Sequence, residues 1–104
     1  MSEYTLDLQK LFIEFMVKDQ DLFVRVNGIC EPQYFDKNVR KAVSFIKEHA
    51  NEYGAIPTLE QIKATTGIEL ENVSDIDDRH KTWFIDEFEK FCRHKALEGA
   101  ILTS

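Results

Sequence analysis

The sequence predicts an all-α fold: a compact bundle of five to six helices with a long helix at its C-terminal end, forming one domain over residues 1–104. Three observations carry this expectation. Apolar residues recur at helical spacings of three and four through most of the chain. The stretch from Glu31 to Gly67 is punctuated by residues that start and stop helices, namely Pro32, Asp36, Gly54, Thr58 and Gly67. The one apolar–acidic alternation, through Ile68, Leu70 and Val73, has no second strand to pair with.

Residues 1–4 read as a disordered start. From Thr5 onward Leu8, Leu11, Phe12, Phe15 and Met16 form one helical stripe, which Ile13 and Val17 widen. A stripe this broad places the first helix at the centre of the bundle, with Asp7, Gln9, Lys10 and Glu14 as a narrow wet strip. Asp19 is the N-cap of a second helix carrying Leu22, Phe23 and Val26. Asn27-Gly28 ends it, with Gly28 in the left-handed position and Ile29 packing back over the helix end. Pro32 opens a short helix that turns Tyr34 and Phe35 inward.

Asp36 caps a long third helix with Val39, Val43, Ile46, Ala50 and Tyr53 on one face. Its Arg40, Lys41, Lys47, Glu48 and Asn51 mostly face water, and Gly54 closes it. Thr58 and Gln61 make a capping box for a short helix that buries Leu59 and Ile62 and stops at Gly67. An irregular connection follows from Ile68 to Ser74, and a final helix runs from about Asp77. Phe84, Phe88, Phe91 and Cys92 form its stripe, continued by Ala96, Gly99 and Ala100, residues small enough to admit another helix. Trp83, Leu97 and Ile101 lie on a different face, separated along it by Glu87, Lys90 and His94.

Composition bounds the function. A hydrophobic fraction of 43% and a charged fraction of 31% are those of a soluble globular domain. The eight Phe among 12% aromatic residues imply a bulky core or an apolar interaction surface. A net charge of −6 weighs against direct duplex DNA binding, which draws most of its affinity from phosphate neutralisation by Lys and Arg. The longest apolar run falls short of a membrane span. Cys30 and Cys92 form no CxxC pair, and no secretory signal is evident, so both read as reduced, buried thiols of a cytoplasmic protein.

No catalytic, cofactor or metal constellation emerges. Gly28, Gly54, Gly67 and Gly99 are isolated, so no Gly-rich phosphate loop is encoded. His49, His80, His94, Cys30 and Cys92 lack ligand spacing; Cys92 and His94, two apart on a helix, cannot share a face. Glu69, Glu71, Asp75, Asp77, Asp78, Asp86, Glu87 and Glu89 are carboxylates without a convergent pocket. Asp75, Asp77 and Asp78 are read as caps of the last helix, the alternative being an acidic surface for a basic partner. Ala55 to Gly67 has the form of the second half of a helix-turn-helix, but Lys63 is its only basic residue and packing explains it better. Trp83, Leu97 and Ile101 are the candidate protein-interface residues, with Trp83 otherwise a partly covered flank residue.

Leu8, Leu11, Phe12, Asp21-Leu22-Phe23, Val26, Pro32, Tyr34-Phe35, Val39-Arg40, Ile46, Gly54, Pro57-Thr58-Leu59, Ile62 and Gly67 follow one known order. In that order and spacing the chain resembles the N-terminal domain of the DnaB-type replicative DNA helicases, bacterial or phage. The resemblance runs from Leu8 to Gly67, and the last helix agrees in kind. Two features depart from it: Ile13-Glu14 stands where a small residue often follows the leucines of the first helix, and Ile68–Ser74 is unlike the usual short link. These departures suit a divergent phage member.

The resemblance implies a non-catalytic collar domain, with the ATPase domain, its ATP and its Mg lying C-terminal to these residues. It implies a dimer of this domain within a hexamer of the parent protein, docking of primase, and a helicase loader as a further partner. The last helix would lead towards the helical hairpin and linker before the motor. An alternative is the helicase-interacting C-terminal adaptor domain of a primase, whose fold is related; a Met1 close to the first helix favours the helicase N-terminus. A free-standing all-α regulator is a third reading.

Overall fold

The computed structural model describes residues 5–71, 73 and 76–103, and the side chains of the last helix through Glu98. The expected disordered start at 1–4, the expected cap Asp75 and the small residues Gly99 and Ala100 as side chains lie outside that description. The chain is all-helical: α1 spans Leu6–Lys18, α2 Gln20–Val26, a 3-10 turn Pro32–Tyr34, α3 Lys37–Tyr53, α4 Leu59–Thr66 and α5 Asp78–Thr103. The connection from Ile68 has no regular structure at its described residues.

Each helix starts where a side chain can take up orphan backbone N–H groups. Thr5 Oγ1 accepts from the Leu8 N–H at 3.2 Å, and Asp19 Oδ1 from the Asp21 N–H at 3.0 Å. Asp36 Oδ1 accepts from the Asn38 N–H at 2.9 Å. At α4 the Thr58 hydroxyl accepts from the Gln61 N–H at 3.1 Å, while the Gln61 side chain accepts from the Thr58 N–H at 2.8 Å. Asp77 Oδ1 opens α5 by accepting from the His80 N–H at 2.9 Å. Helices α3 and α4 stop on Gly54 and Gly67, which hold φ of 69° and 77°, a conformation an L side chain adopts only with strain.

The core is centred on α1, which packs against α2, α3 and α5. Phe12, Ile13 and Met16 are fully buried, so the wide apolar face does meet neighbours on more than one side. The Phe12 ring sits edge-on to Phe84 at 5.9 Å and to Phe88 at 5.4 Å, and tilted to Phe91 at 5.5 Å. Edge-to-face geometry sets the positive ring edge against a negative face and adds about 0.5–1.5 kcal/mol per pair beyond area burial. Phe35, from the turn before α3, closes the cluster against Phe91 at 5.1 Å.

Four local readings are corrected. Gln9 is 4% exposed instead of lying on a wet strip. Its Oε1 accepts from the Asp36 N–H at 2.6 Å, tying α1 to the start of α3. Gly28 is not left-handed: among the described residues the glycines with positive φ are Gly54 and Gly67. The chain instead continues a right-handed turn, with the Cys30 N–H donating to the Val26 carbonyl at 3.0 Å. That turn buries Cys30 and leaves Ile29 41% exposed, so Ile29 does not fold back over the helix end. Tyr53 is 67% exposed although it continues the α3 stripe, since the chain turns away at Gly54 and the core contacts of this face end at Ala50.

Lys47 has a role that its place among the outward residues of α3 hides. Its ammonium donates to the Cys30 carbonyl and, at 3.4 Å, to that of Asn27. A cation is thereby set at the C-terminal end of α2, where the helix dipole is negative.

Two substitutions test this account in urea unfolding. Phe12→Ala should lower stability by about 3–5 kcal/mol, since the cavity is ringed by rigid aromatics that cannot collapse into it. Gln9→Leu should cost about 1–3 kcal/mol by orphaning the Asp36 N–H, whereas an unchanged midpoint would show that this hydrogen bond carries no weight.

Candidate interaction surface on the last helix

Helix α5 is 26 residues long, or about 39 Å. Its Phe84, Phe88, Phe91 and Cys92 stripe is buried, as the three-and-four spacing requires. The remaining surface is the candidate site.

Trp83 is 40% exposed and anchored on its inner side. Its ring lies edge-on to Phe15 at 5.8 Å and tilted to Phe12 at 6.3 Å. One side of the indole is therefore a flank of the core, and the other side faces outward. Leu97 is 62% exposed. The backbone at Ile101 is helical, while its side chain lies outside the described residues. Trp83 and Leu97 stand about four turns apart, or about 21 Å along the axis. Charged side chains occupy the interval: Lys90 Nζ pairs with Asp86 at 3.3 Å and with Glu87 at 3.7 Å. The hydrogen bond to Asp86 is the main cause that raises the Lys90 pKa. Beyond it Glu98 gathers His94 at 3.2 Å and Lys95 at 3.3 Å. The face thus carries separate apolar spots with paired charges of both signs between and beyond them.

A second side of α5 forms a groove of about 470 Å³ with the turn after α2, lined by Ile29, Glu31, Tyr34, Cys92, Arg93 and Ala96 among others. Sequence periodicity gave no sign of it, because Ile29 reaches this position through the irregular turn that follows Val26. Cys30 and Cys92 are both free and buried. Burial is the main cause that pushes each thiol up to about 12.

The other sequence candidates stay apart. Among the described residues no three His, Cys, Asp or Glu side chains converge as a metal site. Lys63, the lone basic residue of the helix-turn-helix reading, is paired with Glu69 at 2.9 Å. That hydrogen bond is also the main cause that lowers the Glu69 pKa. Glu14 accepts from the Glu71 N–H at 2.7 Å and holds the connection against α1. Partial burial outweighs that bond and raises its pKa. Among the described residues no helix is long and apolar enough to cross a membrane. Comparison with protein-family models, with curated proteins and with solved structures yields no match.

The thiols give a direct check on this side of α5. At pH 8 a pKa near 12 leaves a thiolate fraction of about one in ten thousand. Both cysteines should resist a disulfide reagent in the native protein and react together after guanidinium is added. Rapid reaction of the native chain at pH 8 would contradict their burial.

Proposed function

We propose that this chain is a non-catalytic scaffold of the DNA-replication machinery, the N-terminal collar domain of a DnaB-type replicative helicase of a bacterium or phage. In this reading it acts in the cytoplasm, self-associates within a hexameric ring, and docks primase at the fork. The observation that carries the reading is the order of helix boundaries and apolar anchors from Leu8 to Gly67. It is supported by the way Pro32, Gly54, Thr58 and Gly67, residues that carry the resemblance, each stand at a helix end.

The long α5, which would lead on to the rest of the ring protein, also suits the reading. So does the surface it presents. Two apolar spots at Trp83 and Leu97 with charges between them are the composition of a reversible protein interface, where anchors supply affinity and charge sets register. The physical benefit of a collar is effective concentration: linking neighbouring motors and holding primase nearby raises local encounter without new catalytic groups. ATP and Mg belong, in this reading, to a motor domain outside the present residues.

The test is a pull-down of the cognate primase by this chain, together with sedimentation of the chain alone. The parent should self-associate, and Trp83→Ala and Leu97→Glu should each shift it towards monomer. Variants as oligomeric as the parent would remove α5 from the interface. ATP turnover by the chain alone would overturn the scaffold reading altogether.

A further inference from the structure

A second surface lies at the corner between α3 and α4, on elements other than α5. Phe45, His49 and Tyr53 stand one turn apart on α3, with ring centroids 5.8 Å apart for the first pair and 4.7 Å for the second. Tyr53, at 67%, is the most exposed large apolar side chain among the described residues. The middle ring is fixed: His49 Nδ1 lies 2.7 Å from the Ala55 carbonyl oxygen, which can only accept, so Nδ1 carries a proton and donates. Phe45 is only partly buried against the core. The three rings therefore form an ordered column that is anchored at its inner end and open at its outer end.

Glu48 and Glu52 run beside this column by helical spacing, and with Gln61 of α4 they line a groove of about 500 Å³. Both carboxylates are exposed, and neither forms an ion pair with a described residue. Lys37 and Lys41 share that side by helical spacing, but both stand about two turns or more before Glu48. Two unpaired carboxylates beside exposed aromatic faces make a surface suited to a cation, which gains from the ring quadrupole and from charge pairing together.

We infer that the α3–α4 corner docks a basic, arginine-containing segment of a partner protein, its guanidinium between Glu48, Glu52 and the Tyr53 ring and an apolar neighbour in the groove over Phe45. Charge decides between occupants. Nucleic acid phosphates meet two carboxylates here and are repelled. A second copy brings the same carboxylates on a chain of net charge −6. A basic segment meets complementary charge and rings that are already ordered, so little conformational entropy is lost on docking. The inference stands independently of self-association through α5.

The test titrates the isotope-labelled full chain, observed by amide NMR, with an acetylated and amidated amphipathic peptide. One version carries arginines at i and i+4 beside leucines, and a control carries glutamates in place of the arginines. The basic peptide should give saturable shifts centred on residues 45–53 and 61, and the acidic one none. The double variant Glu48→Lys/Glu52→Lys and the single variant Tyr53→Ala should each weaken binding by about tenfold, equivalent to about 1.4 kcal/mol. Both alter exposed side chains, and the same spectra report whether the fold is kept. The inference is overturned by an absence of saturable binding at millimolar peptide, by shifts centred on α5, or by unchanged affinity in the variants. Peptide-free, concentration-dependent shifts at the same amides would assign the corner to a second copy and overturn it too.

Discussion

The contact on which the rest of the molecule depends is the insertion of Phe12 among Phe84, Phe88 and Phe91. It joins the first helix to the last across most of the sequence, and both helices owe their positions to it. Burial of one Phe side chain contributes about 1.5–3 kcal/mol. Four rings in edge-on, tilted and stacked contact add to this, whereas most ion pairs on the surface are exposed and worth about 0–1 kcal/mol each. The aromatic cluster therefore sets the arrangement, and the charges adjust it. The direction of α5 follows from its Phe residues lying on one side, and so does the outward placing of Leu97 and of the paired charges.

Polar ties act next, at the ends of elements. Gln9 to the Asp36 N–H, Glu14 to the Glu71 N–H and Lys47 to the Cys30 carbonyl each run from a helix side to a loop that has backbone groups to satisfy. The Lys81–Asp19 pair at 3.3 Å joins the starts of α5 and α2 in a partly exposed setting. Burial ranks these. Gln9, nearly free of water, holds a part-buried backbone hydrogen bond, while Lys81 and Asp19 can both return to solvent at little cost. The bundle is thus a fixed platform whose variable part is its surface.

How much of this the sequence discloses depends on the range of the interaction. Caps and glycine stops involve residues within four positions of each other, and Asp19, Asp36, Thr58, Gly54 and Gly67 were all legible from local chemistry. Periodicity also placed the Phe84–Cys92 stripe. It gives the angle of a residue on its helix, not the extent of the neighbour that covers it. Tyr53 shares the angle of Ile46 but lies beyond the reach of the packing that buries Ile46. Gln9 was missed because its partner is 27 positions away. Gly28 was misread because a turn that a glycine could end is instead held right-handed, with Lys47 taking its carbonyls from another helix. For the candidate site, the spacing of Trp83 and Leu97 placed both outside the core, but not the anchoring of the indole on Phe15 or the groove beside Ile29.

The two surfaces proposed for this chain differ in the physical means by which they select a partner. On α5, apolar spots about 21 Å apart flank residues of both signs, so an antiparallel copy that sets Trp83 against Leu97 brings Asp86 and Glu87 opposite His94 and Arg93, with Lys90 facing its own copy. Self-recognition is chemically reasonable there. The α3 corner sets Glu48 and Glu52 directly beside its rings, with Lys37 and Lys41 about two turns or more away, so the proposal has it favour a basic segment over a second copy. Because they occupy different helices, an assembly built through α5 would leave every α3 corner open and display it once per subunit. A partner with several basic segments would then engage several corners at an effective concentration set by their spacing. A weak single contact is sufficient in that arrangement, which accords with a corner offering one aromatic column and two carboxylates in place of a deep apolar cleft.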